Sequence, residues 1–144
     1  PRQFQGYLAP HANQFITAST YFGYIASYSY ENERLTKQWE KQTSDFLYQR
    51  VNNRIEFDNL HHEGFGCITA GKEHIYAFSQ YLSEKQMKEN GILVFDKSGK
   101  LLSCLRIKNP VVYLVTDSRE ENLYAVSYDI EKQHLYLSKL KTTL

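Results

Sequence analysis

The sequence repeats one short strand-like motif at intervals of about 50 residues, and this repeat limits the possible folds more than any other feature. "HIYAFS" begins at His74 and "NLYAVS" begins at Asn122, 48 residues later, while a less regular copy, "YIASYS", lies upstream. The alanines of the three copies are Ala26, Ala77 and Ala125. Internal periods of about 20 to 50 residues are typical of solenoids, propellers and other repeat proteins.

Each copy shows the same order of elements. An apolar run that ends in Thr17, Thr69 or Thr116 precedes the motif, and a further strand-like run follows it. The second copy continues into a fourth run, "KLLSCLRI", through a turn in which Asp96 and Gly99 fit a tight hairpin. Short strands with regularly spaced turn signals predict an all-β protein. Four antiparallel strands within one repeat are typical of a propeller blade.

The spacing predicts three four-stranded antiparallel blades, at about residues 14–57, 65–107 and 111–140. Closed propellers typically have about four to eight blades, so we interpret residues 1–144 as a single propeller fragment, half of a six-bladed β-propeller. The third blade contains only three strand-like runs. Residues 2–8 precede the first blade and are expected to be an outer strand of another blade.

A half-ring exposes the faces of its two end blades, and large apolar patches mark interaction or aggregation sites. We therefore expect self-association into a dimer that completes the propeller, since a two-fold dimer is the commonest closed assembly. In such a dimer, residues 2–8 of each chain would complete the third blade of the partner. A second interpretation, that the chain is a fragment of a longer protein, remains open.

Composition argues against two classes of partner. The 17 basic residues are balanced by 16 acidic ones and alternate with them, as in "SEKQMKEN". A nucleic-acid-binding protein gathers Lys and Arg in a patch, so no nucleic-acid partner is expected. No apolar run approaches the roughly 20 residues that cross a bilayer, so no membrane span is expected in this chain. The 12 tyrosines suit half-buried strands.

The two cysteines test the predicted strand order. Cys67 falls in the innermost strand of the second blade and Cys104 in its outermost strand. Three steps between neighbouring strands, at about 4.8 Å each, separate them by about 14 Å. A disulfide needs Cα atoms within roughly 7 Å, so an intrachain bond between them would contradict this order.

The run "GILVFDKSGKLLSCLRI", followed by "LVTDSREENLYAVSYD" and "HLYLSKL", is similar to the C-terminal blades of TolB-like and NHL-like six-bladed β-propellers. The resemblance covers roughly residues 14–141 and consists of strand and turn patterns without a catalytic signature. It implies an extracytoplasmic location, either periplasmic or as a surface lipoprotein. Members of this family largely lack assigned activities, so the resemblance implies a fold but no reaction.

Functional residues of a propeller usually lie in the loops at one mouth of its central channel. The loops that lead into the predicted innermost strands are residues 9–14, 58–64 and 107–110. His11 and His62 are 51 residues apart, the same spacing as Ala26 and Ala77, and are expected at matching positions. Imidazole suits both metal binding and proton transfer. The candidate ligand-binding residues of these loops are His11, His61, His62, Glu63 and Lys108.

A simpler interpretation of these loops is favoured, namely that the residues are solvated polar side chains. Adjacent His61 and His62 point in different directions on an extended chain and rarely bind one ion. The sequence contains no HExxH, CxxC or aspartate-rich calcium loop, and no G-x-S-x-G turn surrounds a serine. No catalytic residue, metal or cofactor is therefore predicted.

Three hypotheses about function follow. The leading hypothesis is a non-enzymatic propeller module that binds an unknown protein or small-molecule ligand. The second is a domain of a propeller hydrolase or lyase whose catalytic groups lie largely outside this chain. The third is a purely structural fragment.

Overall fold

A computed structural model describes residues 6–11, 13–43, 48–52, 54–57, 64–79 and 90–142 of the chain. Within these ranges the chain forms strands joined by turns and contains no α-helix. None of the described segments is therefore a helix of the length and apolarity that crossing a membrane requires. The strands are β1 (Gly6–His11), β2 (Gln14–Ser19), β3 (Tyr24–Glu31), β4 (Arg34–Gln42), β5 (Tyr48–Val51), β6 (Arg54–Phe57), β7 (Phe65–Ala70), β8 (His74–Ser79), β9 (Gly91–Asp96), β10 (Leu101–Arg106), β11 (Val111–Thr116), β12 (Asn122–Asp129) and β13 (His134–Lys141).

The strands form three antiparallel sheets in which sequence neighbours pair. Sheet 1 has the order β1-β2-β3-β4, sheet 2 the order β7-β8-β9-β10, and sheet 3 the order β11-β12-β13. The short strands β5 and β6 pair with each other as a separate hairpin. The predicted all-β fold built of antiparallel meanders is thus confirmed. As expected, the third sheet has three strands among the described residues.

Sheet 1 differs from the predicted first blade of residues 14–57. Its first strand is β1, which pairs with β2 from Gly6 opposite Ser19 to His11 opposite Gln14. The described part of segment 2–8 therefore belongs to the sheet of its own neighbours, and β5 and β6 lie outside sheet 1. Only residues 12 and 13 separate β1 from β2. A hairpin with such a short connection loses little chain entropy on closing, which favours it over a distant pairing.

The repeat is consequently shifted by one strand in its first copy. Ala77 and Ala125 lie in the second strands of their sheets, whereas Ala26 lies in the third strand of sheet 1. All three alanines are fully buried. A small buried residue is suited to any strand that has a neighbouring strand on both sides. The motif therefore marks a central strand and does not specify its number.

Sheet 2 lies between the other two sheets and is apolar on both faces. Along β8, Ile75 and Ala77 point toward sheet 1, whereas Tyr76 and Phe78 point toward sheet 3. Fully burying a large apolar side chain stabilises a fold by about 1.5–3 kcal/mol. The cluster between sheets 1 and 2 comprises Ile16, Ala18, Ile25, Phe65, Ile75, Ala77, Leu93 and Phe95. The cluster between sheets 2 and 3 comprises Cys67, Tyr76, Phe78, Ile92, Val94, Val111, Leu114, Leu123 and Ala125.

The strand β7 connects the three sheets, since it contacts β11 on one side and β1 and β2 on the other. Its Cys67 thiol lies 3.9 Å from the carbonyl oxygen of Val111. Burial raises the pKa of this thiol to about 12, which keeps it protonated. Cys67 and Cys104 form no disulfide with each other and lie on the first and last strands of sheet 2. The strand order predicted from the two cysteines is confirmed.

The turn between β9 and β10 forms the predicted tight hairpin. Asp96 Oδ1 accepts hydrogen bonds from the backbone N–H groups of Ser98 and Lys100, both at 2.9 Å, and from the Ser98 hydroxyl at 2.6 Å. These bonds, chiefly the one from the Ser98 hydroxyl, lower the pKa of Asp96. Gly99 has a φ of 79°, and Trp39 Nε1 donates to the Lys97 carbonyl at 2.8 Å. The turn therefore also joins sheet 2 to sheet 1.

Replacing Gly99 tests the contact between Trp39 of sheet 1 and the β9–β10 turn of sheet 2. A Cβ at Gly99 would lie 2.6 Å from the Trp39 ring, and its positive φ is strained for other residues. We expect Gly99→Ala to lower the free energy of unfolding by about 1–3 kcal/mol, measured by urea denaturation. The same substitution in a Trp39→Ala background should cost less, because only the backbone strain remains. An equal cost in both backgrounds would contradict the packing of Trp39 on this turn.

Candidate functional site

The predicted mouth residues fall mostly outside the described part of the chain. His61, His62 and Glu63 lie in the segment 58–63, which the structure does not describe. His11 is the last residue of β1 and pairs through its backbone with Gln14. Lys108 is exposed on the connection between β10 and β11, where its carbonyl accepts a hydrogen bond from Asn90 Nδ2 at 3.0 Å. The ligand site proposed at these residues stays a prediction.

A polar cluster between sheets 2 and 3 is a separate candidate, which we call the 74/120 junction. Its centre is Glu120, in the turn between β11 and β12, whose side chain is only 7% exposed. Glu120 Oε1 accepts the backbone N–H of Glu73 at 2.8 Å and that of His74 at 3.3 Å. These hydrogen bonds offset the free-energy cost of removing most of the carboxylate from water. The Glu120 backbone has a φ of 57°, and its carbonyl accepts a bond from the Thr142 hydroxyl.

His74 completes the carboxylate's set of partners. Its Nδ1 lies 2.9 Å from Glu120 Oε2, and its side chain is 26% exposed. His74 is the first residue of β8. The beginning of β8 in sheet 2 therefore contacts the β11–β12 turn of sheet 3. Gly71 permits this close approach, because a Cβ there would lie only 1.7 Å from Glu120 Oε1.

Tyr76 extends the junction into the core. Its ring centroid lies 6.3 Å from that of His74, and the residue is fully buried. No described group forms a hydrogen bond of ordinary geometry with the Tyr76 hydroxyl, and the Thr142 side chain is the polar neighbour that acts against the rise in its pKa. Burial and, secondarily, the charge of Glu120 raise the pKa of Tyr76 to about 12. The hydroxyl is therefore neutral and remains a potential donor.

Asp117 shapes the turn that presents Glu120. Its Oδ1 accepts the backbone N–H of Glu121 at 3.0 Å, and its Oδ2 accepts Asn122 Nδ2 at 2.6 Å. These bonds, chiefly the one from the Asn122 amide, lower the pKa of Asp117. The turn is thus held by an ionised carboxylate. Its hydrogen bonds fix the backbone from which Glu120 reaches sheet 2.

The chemistry available at the junction is that of a histidine oriented by a carboxylate. Such a pair suits proton transfer, since the carboxylate fixes the imidazole and stabilises its charged form. Within the described ranges, no group of three or more His, Cys, Asp or Glu residues could hold a metal ion. The sequence did not suggest this pair, because neither residue lies in one of the predicted mouth loops 9–14, 58–64 and 107–110. A signal existed, since His74 and Glu120 both lie a few residues before the alanine of their repeat copy.

A second candidate is the outer face of sheet 3, formed by the residues that point away from sheet 2. Leu137 is 73% exposed, Tyr113 is 61% exposed and Leu135 is 60% exposed. Tyr113, Val126 and Leu137 form one cross-strand row, and Tyr128 and Leu135 form another. Side chains of one row lie close enough to touch, so these residues make a continuous apolar surface. Contiguous exposed apolar surfaces are typical of interaction sites.

The outer face of sheet 1 is also rich in aromatic residues. The rings of Phe15 and Tyr28 stack with centroids 5.6 Å apart at an angle of 18°. The Tyr24 hydroxyl donates to Glu40 Oε2 at 2.8 Å, and Lys37 Nζ lies 2.8 Å from the same oxygen. On this face Tyr30 and Leu35 are exposed, whereas Phe15, Tyr24 and Tyr28 are half-buried by these contacts.

The chain is similar to a solved structure, a Bacteroides fragilis protein described as a 6-phosphogluconolactonase. The TM-score is 0.52 and the sequence identity is 11%, with 95% of this chain and 38% of the other chain covered. The chain thus spans well under half the length of that protein, and a likeness at this identity shows a propeller-like fold alone. No family model matches the sequence, and a comparison with curated proteins finds no match. The TolB-like or NHL-like assignment stays a prediction.

The unpaired hydroxyl of Tyr76 gives a direct test of the junction. We expect Tyr76→Phe to leave the free energy of unfolding unchanged or to raise it by up to about 1 kcal/mol, because an unpaired buried hydroxyl is unfavourable. Phe78→Ala, on the same strand and face, should lower it by about 3–5 kcal/mol. Urea denaturation measures both. A loss of more than about 1 kcal/mol for Tyr76→Phe would show that the hydroxyl has a partner.

Proposed function

We propose that the chain is a non-enzymatic propeller module that binds another polypeptide through the outer face of sheet 3. The exposure of Leu137, Leu135 and Tyr113 on one continuous face carries this proposal. Apolar side chains in a three-stranded sheet gain stability when a second surface removes them from water. The TolB-like or NHL-like assignment, the count of six blades and the extracytoplasmic location belong to the same proposal and rest on the sequence resemblance.

The proposed partner is a second copy of the chain, arranged to complete the propeller. Two copies related by a two-fold axis place the outer face of sheet 3 against the outer face of sheet 1 twice. Sheet 1 supports this arrangement because it offers Tyr30 and Leu35, which are 62% and 58% exposed, as a cross-strand pair on its outer face. Since β1 already pairs with β2 in its own chain, the proposed contact is face packing rather than exchange of residues 2–8.

The mass in solution tests the partner. We expect light scattering after size exclusion to give twice the chain mass of 16.9 kDa at micromolar concentration. Leu137→Glu should raise the dimer dissociation constant on the order of a hundredfold, because it places an unpaired charge in an apolar contact. Leu101→Glu, on the outermost strand of sheet 2, is the matched control and should leave the mass unchanged. A monomeric wild-type chain would overturn the proposed dimer and favour a purely structural fragment.

A second candidate function is that the chain forms part of a propeller hydrolase or lyase. The pairing of His74 with Glu120 favours it, since this arrangement orients an imidazole for proton transfer. The similar Bacteroides fragilis structure is described as a lactonase. Hydrolysis of 6-phosphogluconolactone by the purified chain measures this alternative directly. No acceleration over buffer is expected if the chain is a binding module, and a rate that His74→Asn abolishes would replace the leading proposal.

A further inference from the structure

We propose that His74 is a proton-accepting site for a hydroxyl-bearing ligand, water included, at the 74/120 junction, with Glu120 as its positioning residue. The inference is independent of the docking face on sheet 3. It assigns a role to the one histidine–carboxylate pair that the described residues form between two sheets.

The hydrogen bonds of Glu120 determine which imidazole nitrogen carries the proton. An ionised carboxylate only accepts, and Oε1 already accepts two backbone N–H groups, from Glu73 and His74. Oε2 lies 2.9 Å from His74 Nδ1, so Nδ1 must donate. The neutral ring is therefore the Nδ1–H tautomer, and the lone pair is on Nε2, at the opposite end of the ring.

The surroundings leave Nε2 available and favour its protonated product. Within the described ranges no hydrogen bond is formed by Nε2, and the His74 side chain is 26% exposed. When Nε2 takes the proton of a hydroxyl group, that oxygen keeps the bonding electron pair and the ring becomes an imidazolium. The Glu120 carboxylate then stabilises the new positive charge at 2.9 Å.

Two other carboxylates near the pair are engaged elsewhere. Glu73 forms an ion pair with Lys97 at 3.3 Å, and Asp117 is held by the bonds of its own turn. Tyr76 is buried and neutral, as the direction of its pKa shift indicates. Glu120 is the charged group in direct contact with the His74 ring.

His134 provides a comparison within the same chain. Its Nδ1 lies 3.1 Å from the carbonyl oxygen of Lys132, and its side chain is exposed on the β12–β13 turn. A carbonyl is a neutral acceptor, whereas Glu120 carries a negative charge. A carboxylate partner makes the far nitrogen a better electron-pair donor. We therefore expect Nε2 of His74 to be more reactive than Nε2 of His134, although His74 is less exposed.

Two measurements on the full chain test the proposal. Long-range ¹H–¹⁵N NMR spectra are expected to show the Nδ1–H tautomer for His74. Carbethoxylation by diethyl pyrocarbonate, followed by peptide mass spectrometry, is expected to modify His74 faster than His134. An Nε2–H tautomer, or a His74 rate no higher than that of His134, would overturn the proposal.

The variant Glu120→Gln separates positioning from mere structural support. The amide oxygen of the new side chain can accept the same two backbone N–H groups, from Glu73 and His74. The amide NH₂ group then faces His74 Nδ1 and donates to it. The tautomer should then invert to Nε2–H, and carbethoxylation of His74 should slow on the order of tenfold. The carbethoxylation rate of His134 should be unchanged. A folded variant in which His74 keeps its tautomer and its carbethoxylation rate would overturn the role of Glu120. If Glu120→Gln unfolds, Gly71→Ser serves instead, because its side chain would displace the Glu120 carboxylate. We expect the same slowing of His74 carbethoxylation in this variant, and an unchanged rate would overturn the role of Glu120.

Discussion

The burial of sheet 2 on both faces is the constraint on which the rest of the structure depends. Alternate residues of β8 point to opposite sides, so Ile75 and Phe78 enter different core clusters. A sheet of this kind cannot be stable alone, because each face needs a partner sheet to remove it from water. Sheets 1 and 3 provide these partners. Each of them then has a second face that points away from sheet 2, and Leu137 of sheet 3 and Tyr30 of sheet 1 are exposed there.

Polar contacts between the sheets lie at the ends of strands, and they determine which residues of neighbouring sheets pack together. Trp39 reaches the β9–β10 turn from sheet 1, and Glu120 reaches the start of β8 from sheet 3. Both contacts require a glycine, Gly99 or Gly71, because a side chain at either position would collide with the incoming group. The apolar clusters supply non-directional attraction, whereas these bonds fix which residues meet. A reactive histidine is thus placed by the same contact that aligns two sheets.

Much of the fold was predictable from local patterns. The strands of sheets 2 and 3, the Asp96 turn and the separation of Cys67 from Cys104 follow from alternation, turn chemistry and strand spacing. Sheet 1 was less predictable, because the motif around Ala26 fits any central strand and the β1–β2 hairpin lacks a strong turn signal. The candidate ligand residues His61, His62 and Glu63 lie outside the described chain, so that hypothesis is still to be tested.

The sequence by itself determined that this chain forms antiparallel sheets of three or four strands, because strand alternation and turn residues act over a few neighbouring positions. Only the tertiary structure decided which strand begins sheet 1, since strand pairing depends on competition between segments. Only the tertiary structure brought Glu120 to His74 across 46 positions of the chain. Their similar positions before Ala77 and Ala125 are the one trace of the pair in the sequence, and the contact itself arises from the packing of two sheets.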